Sequence, residues 1–305
     1  MRRLTQPKTD DHGVATIILI GAMTALLIAT ALAVDVGRLV AEVRAAQNSA
    51  DATVLAVATD CAAARSLASV DYTKYYKSTS GQTINSPACG TGQTTVTVTK
   101  DVNGGLFLAS DAKTVSRSAT AKWGTLGTAT TVPIVISNCE FTQALLDGTA
   151  DITLYLDDTK PQSGCSSLPG GFSQLLNTNC AVAVSAGGTV AGDPGGDVFK
   201  QIACITNSTA PALPHDILIP MYDATACKTA GCNGHGPYPI LGFAMFHVTG
   251  YSFNGNKSDG TLGNKCPDPT RGKYCIRGDF IRFVASQGSP GPSTDFGTLD
   301  VYLFS

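Results

Sequence analysis

Val14–Val34 reads VATIILIGAMTALLIATALAV and runs without a break into Asp35–Ala58, DVGRLVAEVRAAQNSADATVLAVA. The first part holds 21 residues and no charge. At 1.5 Å per residue it makes about 31 Å of helix, the thickness of a bilayer core. One charge at its centre would cost about 2.5–3.5 kcal/mol on insertion scales. The second part is amphipathic. Val36, Val40, Val43, Ala50, Val54 and Val57 recur at steps of three, four or seven, one face of a 3.6-residue period. Ala is abundant and Pro absent through Ala58, which favours unbroken helix. The expectation is one helix over about residues 14–58, half in lipid and half standing out of it. A cleaved signal peptide has an apolar core of about 7–15 residues; this run is longer and continues as helix, so an uncleaved anchor is expected.

Around this stretch the chain divides into four parts: a tail over residues 1–13, a span over 14–34, a stalk helix with a small sheet over 35–125, and a larger part over 126–305. Arg2, Arg3 and Lys8 precede the span, and Arg38 and Arg44 follow it, so the positive-inside bias is weak. The cysteines decide orientation. All ten fall between Cys61 and Cys275. An even number on one side of a membrane reads as disulfides in an oxidising compartment, with no thiol left over. The tail is therefore placed in the cytoplasm and the bulk outside a plasma membrane crossed once. The net charge of −2 gives no reason to expect a nucleic-acid partner.

The tail, Gly13, the apolar run ending Ala33-Val34-Asp35-Val36-Gly37-Arg38, then Gln47-Asn48-Ser49-Ala50-Asp51-Ala52 and Leu55-Ala56 resemble the amino-terminal region of TadE/TadG-like proteins of tight-adherence (Flp) pilus assembly. The resemblance covers about residues 10–60. It implies a membrane-anchored, pseudopilin-like, non-catalytic component whose partners are the bilayer and other pilins or assembly proteins. A prepilin-type cut after Gly13 would usually be followed by Glu at the fifth position; that position here is Ile18. The Asp-x-Ser-x-Ser metal site of larger family members has no counterpart in this chain. Gly21, Ala25, Ala29, Ala33 and Gly37 place a small residue at every fourth position, the spacing that lets helices approach closely in lipid.

After the helix the texture changes to β. Thr94–Lys100, TTVTVTK, alternates with period two, and Asn103-Gly104-Gly105 is a turn signal. Thr114–Trp123 is a second strand. Helix and sheet together form a small pilin-like unit, and Cys61 is expected to bond Cys89, which typically contributes about 2–4 kcal/mol. Thr125–Thr131, TLGTATT, reads as a linker. Beyond it, short strands are expected at 132–136, 152–156, 182–185, 217–221, 240–249, 274–285 and 299–304. Short helices are expected from Asn138 to Leu146, at Ser173–Leu176 and at Asp197–Ile205. Eight cysteines in this part allow 105 pairings; Cys165–Cys180, Cys227–Cys232 and Cys266–Cys275 are the local candidates. The fold class is α+β: a long transmembrane and stalk helix with a small antiparallel sheet, then a β-rich, disulfide-stapled domain.

Chemistry-bearing patterns are few. Cys227-x4-Cys232-x2-His235, with His247 nearby, carries metal-ligand types, but zinc sites want a second pair at fixed spacing; a disulfide is the better reading. Ala183-Val184-Ser185-Ala186-Gly187 fails the nucleophile-elbow pattern at its first position. Asp157-Asp158 are neighbours, which on a strand point to opposite faces. Arg277-Gly278-Asp279 spells an adhesive tripeptide inside a strand-like run. No catalytic, cofactor-binding or metal residue is assigned and no cofactor is expected. The rival reading is a tethered module that binds cell-wall glycan or a host surface.

Overall fold

The computed structural model describes residues 12–63, 67, 82–85, 87–102, 113–141, 151–156, 175, 180–193, 213–230, 232, 237–253, 257–260, 262, 265–285, 289–291 and 294–304. Residues 1–11 of the tail, Asn103–Gly105, Asp157-Asp158, Cys165, His235 and the helix expected at 197–205 lie outside these residues.

One helix, α1 (His12–Ala62), runs 51 residues, about 76 Å at the standard rise. Its halves differ in what surrounds them. From Val14 to Thr30 every side chain is exposed. Thr24 and Thr30 turn their hydroxyls back onto the carbonyls of Ile20 and Leu26, so the span presents satisfied polar groups. From Ala46 onward one face is buried: Ala46, Ala50, Thr53, Val54, Val57 and Ala58, with Thr53 donating to the Ser49 carbonyl. The apolar face expected to begin at Val36 is not covered there. Val36 is 47% and Val40 43% exposed, because contact with the sheet begins only near Glu42, which Lys100 reaches with its ammonium.

The surface that buries α1 is a sheet in the order β1 (Gln82–Ile84), β2 (Gln93–Val102), β3 (Lys113–Thr131), β14 (Thr298–Phe304), β12 (Phe283–Ala285). In β2 the period of two holds: Thr94, Val96 and Val98 are buried, while Thr95 and Thr97 face away. Val96, Val98, Ala119 and Ala121 meet Ala50, Val54, Val57 and Ala58. On the outer face the hydroxyls pair across the strands, Thr95 with Thr120 and Thr97 with Ser118, both at 2.9 Å.

The segment Thr125–Thr131 is not a linker. It is the second half of β3, a 19-residue strand. It pairs with β14 up to Thr125, with β13 (Ser289–Pro290) at Leu126 and Thr128, and with β6 (Val182–Ser185) from Thr128 to Thr131. Threonine suits an extended, partly buried strand, and the apolar cover comes from other elements: Leu126 is buried with Val182, Val184, Tyr238, Ile240 and Phe243. Strands from both sides of residue 126 therefore share this sheet.

The second sheet runs β4 (Ile136–Ser137), β8 (His215–Tyr222), β9 (Tyr238–Phe253), β11 (Tyr274–Ile281), β5 (Ile152–Tyr155), with β10 (Lys257–Gly260) and β7 (Thr189–Val190) also on β9. Phe141, Phe246, Phe280 and Phe296 centre its core, in edge-on contacts of 5.1 Å. Gly242 lets Phe296 in: a Cβ there would stand 2.7 Å from the Thr294 carbonyl oxygen. Of the helix expected from Asn138 to Leu146, residues 142–146 lie outside the described residues; its start is a 3-10 turn, Asn138–Glu140, whose cap is Ser137, which accepts from the Cys139 amide. Asn138 is instead used at a distance, accepting from the amide of Ala224 at the start of α2 (Ala224–Ala230). Leu175, expected in a short helix, is buried and bridges Gly192 in extended form. The expected 274–285 strand is divided, β11 joining the second sheet and β12 the first.

Candidate functional site

The feature with the clearest functional content is α1 itself. Its apolar part is long and apolar enough to cross a membrane, and the protein buries none of it. Burial argues against a core helix, since a core helix of this hydropathy is covered by its own protein. Gly21, Ala25, Ala29, Ala33 and Gly37 are all exposed, and a Cβ added at Gly21 or Gly37 would meet nothing within 4 Å. The run is open along its whole length, although a step of four winds about 40° per repeat around the helix.

The docked half is fixed at both ends. At its lower end, Glu42 and Lys100 pair with side chains mostly covered, 26% and 12% exposed. At the far end, Cys61 is bonded to Cys89, closing 28 residues of chain onto the helix terminus. Between these lies the apolar seam, flanked by Trp123 and Val301.

The structure also brings together Cys227 with Cys232 and Cys266 with Cys275, so the Cys227-x4-Cys232 sulfurs are bound to each other. Cys180 is engaged in a disulfide as well. Cys139 corrects the reading that an even count leaves no thiol over. It carries a free thiol, half-buried in the turn capped by Ser137. An even count of cysteines does not oblige each to find a partner, and this turn packs Cys139 against the apolar cluster around Leu126 and Tyr222.

Arg277-Gly278-Asp279 lies within β11 and is occupied by contacts of its own. The Arg277 guanidinium forks onto Asp151 with both Nε and Nη2, and Asp279 accepts from the Asp151 amide. Donating to the Asp151 carboxylate holds the Arg277 guanidinium above its ordinary pKa. Gly278 sits at a register shift against β9, and a Cβ there would fall 1.8 Å from the His247 carbonyl oxygen. This glycine is needed for strand packing.

A pair that the sequence did not disclose lies nearby. His247 Nδ1 is 2.6 Å from Asp216 Oδ1, and Asp216, His247 and Asp279 are direct cross-strand partners on β8, β9 and β11. Only strand pairing unites them; in the chain they are about thirty residues apart. On the other side of β8, His215 is buried, and its Nδ1 has no hydrogen-bond partner among the described residues. Burial lowers its pKa, Asp216 opposes this, and His247 adds to it. Burial likewise pushes Tyr222 upward, with Tyr238 adding to it, and pushes Tyr238 to about 12. Among the described residues, no group of three or more His, Cys, Asp or Glu side chains is arranged to hold a metal ion.

Fold and site together define an α+β chain with, among the described residues, one membrane-length helix, the upper half of which docks on a β-rich, disulfide-bonded body. Residues 13–60 match the Tad family model, Flp pilus-assembly TadE/G-like. No curated protein and no solved structure matches the chain. The matched residues coincide with α1 almost end to end, and the match supports a role related to pilus assembly.

Proposed function

We propose that this chain is a membrane-anchored, non-catalytic, pseudopilin-like component of tight-adherence pilus assembly. The observation that carries the reading is the coincidence of the family match with a single helix that is bare below and docked above. In this reading residues 14–34 cross the plasma membrane once, residues 1–13 lie in the cytoplasm, and the bulk stands outside. The disulfides, which suit an oxidising compartment, support that orientation. Gly21, Ala25, Ala29, Ala33 and Gly37 are the surface on which other pilin helices would pack. The body presented by the stalk primes, caps or docks on a filament.

Deleting the gene in the native organism and counting surface filaments by electron microscopy tests this, with a plasmid-restored control. Loss or shortening of filaments that returns with the gene is the expected result. Unchanged filament number and length would reduce the helix to a tether and leave the glycan- or surface-binding module as the better account.

A further inference from the structure

Between the uncharged run of α1 and the level where the sheet begins lies a short bare stretch. Val36, Gly37, Arg38, Leu39, Val40 and Ala41 are all exposed. Three of them are large aliphatics, Val36 at 47%, Leu39 at 38% and Val40 at 43%. Asp35 is buried, so Arg38 brings the one exposed charge of residues 35–41. On a helix, Val36, Leu39 and Val40 fall within about 100° of one another. They lie on the side that carries Ala50, Val54 and Val57, which the sheet covers higher up. Arg38 lies on the opposite side.

Height decides what covers these aliphatics. With Val34 as the last residue of the hydrocarbon span, Arg38 stands about 6 Å, Val40 about 9 Å and Glu42 about 12 Å above its edge. A bilayer with a core of about 30 Å is about 40–45 Å thick with its headgroups, which leaves about 5–8 Å on each side. The headgroup layer thus spans the level of Asp35 to Leu39 and ends just below Glu42, where the Lys100 ammonium and the sheet meet the helix. The bare stretch and the headgroup layer have the same thickness. Its aliphatic surface is also continuous with the bare rod below, where Val34 is 66% exposed.

We propose that Asp35–Ala41 is a collar set in the headgroup layer, with Val36, Leu39 and Val40 against the tops of the acyl chains, Arg38 on lipid phosphate, and the body resting on the membrane surface. The division of labour is that of an interfacial helix, apolar on one side and cationic on the other. A guanidinium presents a fork of donors that matches phosphate oxygens, and its stem can lie along apolar surface while the charge reaches them. A second anchored helix is a poor occupant of the aliphatic side. Rising through the membrane beside α1, it would run into Lys100 and the sheet, which cover that side from about 12 Å above Val34. Lipid headgroups end below that level. The proposal rests on α1 being the anchor and is independent of any role in a pilus.

The test uses the full chain in phosphatidylcholine vesicles, with Trp123→Phe and one new reporter in each variant: Leu27→Trp, Leu39→Trp or Asn48→Trp. Each variant is checked for the Cys61–Cys89 bond. Nitroxide carried on the lipid headgroup or at the middle of the acyl chain quenches nearby indoles. Leu39→Trp should be quenched mainly by the headgroup label and Leu27→Trp mainly by the mid-chain label. Asn48, exposed about 21 Å above Val34, should be reached by neither. Phosphatidylglycerol labelled near the top of its chain should be enriched around Leu39→Trp about fivefold over phosphatidylcholine labelled alike, the weight of one Arg at a membrane surface. Arg38→Gln should remove that enrichment. If Leu27→Trp responds to the mid-chain label while Leu39→Trp responds to neither label, or to the mid-chain label alone, the collar is overturned and the anchor stands. If Leu27→Trp responds to neither, both fall. Equal response to the two lipids, or an enrichment unmoved by Arg38→Gln, would overturn the contact with phosphate.

Discussion

The two halves of α1 share aliphatic side chains and have opposite surroundings. Ile17, Leu19, Leu26 and Leu27 are exposed on a bare rod, whereas Val54 and Val57, on the same helix, are wholly buried. Ala and branched aliphatics do not separate them, because both halves hold many; charge does, the upper half carrying Asp35, Arg38, Glu42, Arg44 and Asp51 and residues 14–34 none. Period separates them too. The lower half is apolar all round, which suits a solvent that is itself apolar; the upper half is apolar on one face, which suits a sheet on one side and water on the other.

The largest effect that would break this comparison comes from replacing one aliphatic side chain in each half. Val54→Asp buries a carboxylate without a partner and should destabilise the body by more than about 3 kcal/mol. Leu27→Ala should leave it within about 0.5 kcal/mol of the parent. Trp123 is the chain's single tryptophan and flanks the seam, so its emission during thermal unfolding in detergent reads both. Equal effects would mean that the halves are not different. Next is the staple at the far end: Cys61→Ser with Cys89→Ser should cost about 2–4 kcal/mol, read as a lower midpoint in the same melt, and reductant should lower the parent further than it lowers the variant, which keeps only the other disulfides.

Smaller effects sharpen the line between the halves. Lys100→Met removes an ion pair that is partly shielded, and its loss should cost about 0.5–1 kcal/mol. The difference should shrink in high salt, measured by the same melt. Smallest is the pH dependence of His215, whose pKa is lowered by burial in the folded state. Its contribution is fully present above about 6.5, the ordinary value, and is lost as pH falls below that towards the lowered folded value. His215→Gln should flatten this part of a stability-against-pH curve, while Leu27→Ala leaves the curve unaltered.

Much of the fold was legible because local rules sufficed. The unbroken apolar run and its amphipathic continuation specify α1, and TTVTVTK specifies β2 by alternation alone. Three failures share one cause. Thr125–Thr131 lacks apolar residues of its own, so its strand character depends on Val182, Val184 and β14 arriving from elsewhere in the chain. Val36 and Val40 keep the helical period but lie below the point where the sheet begins, and a period cannot say how far its cover extends. Asn138 looks like a local cap and serves the amide of Ala224 instead. The same holds for chemistry: Asp216 and His247 meet only through the β8–β9 register.

The central claim is that α1 is a span below and a docked stalk above. Spin labels placed one at a time from Ile17 to Val40, in the full chain in a bilayer, test it through collisions with oxygen and with a water-soluble nickel chelate. The account predicts that oxygen dominates at every position through Val34, on all sides of the helix, and that the chelate takes over beyond Val36. A 3.6-residue alternation within Ile17–Val34, or chelate access throughout it, would show a covered or water-exposed helix and contradict the account.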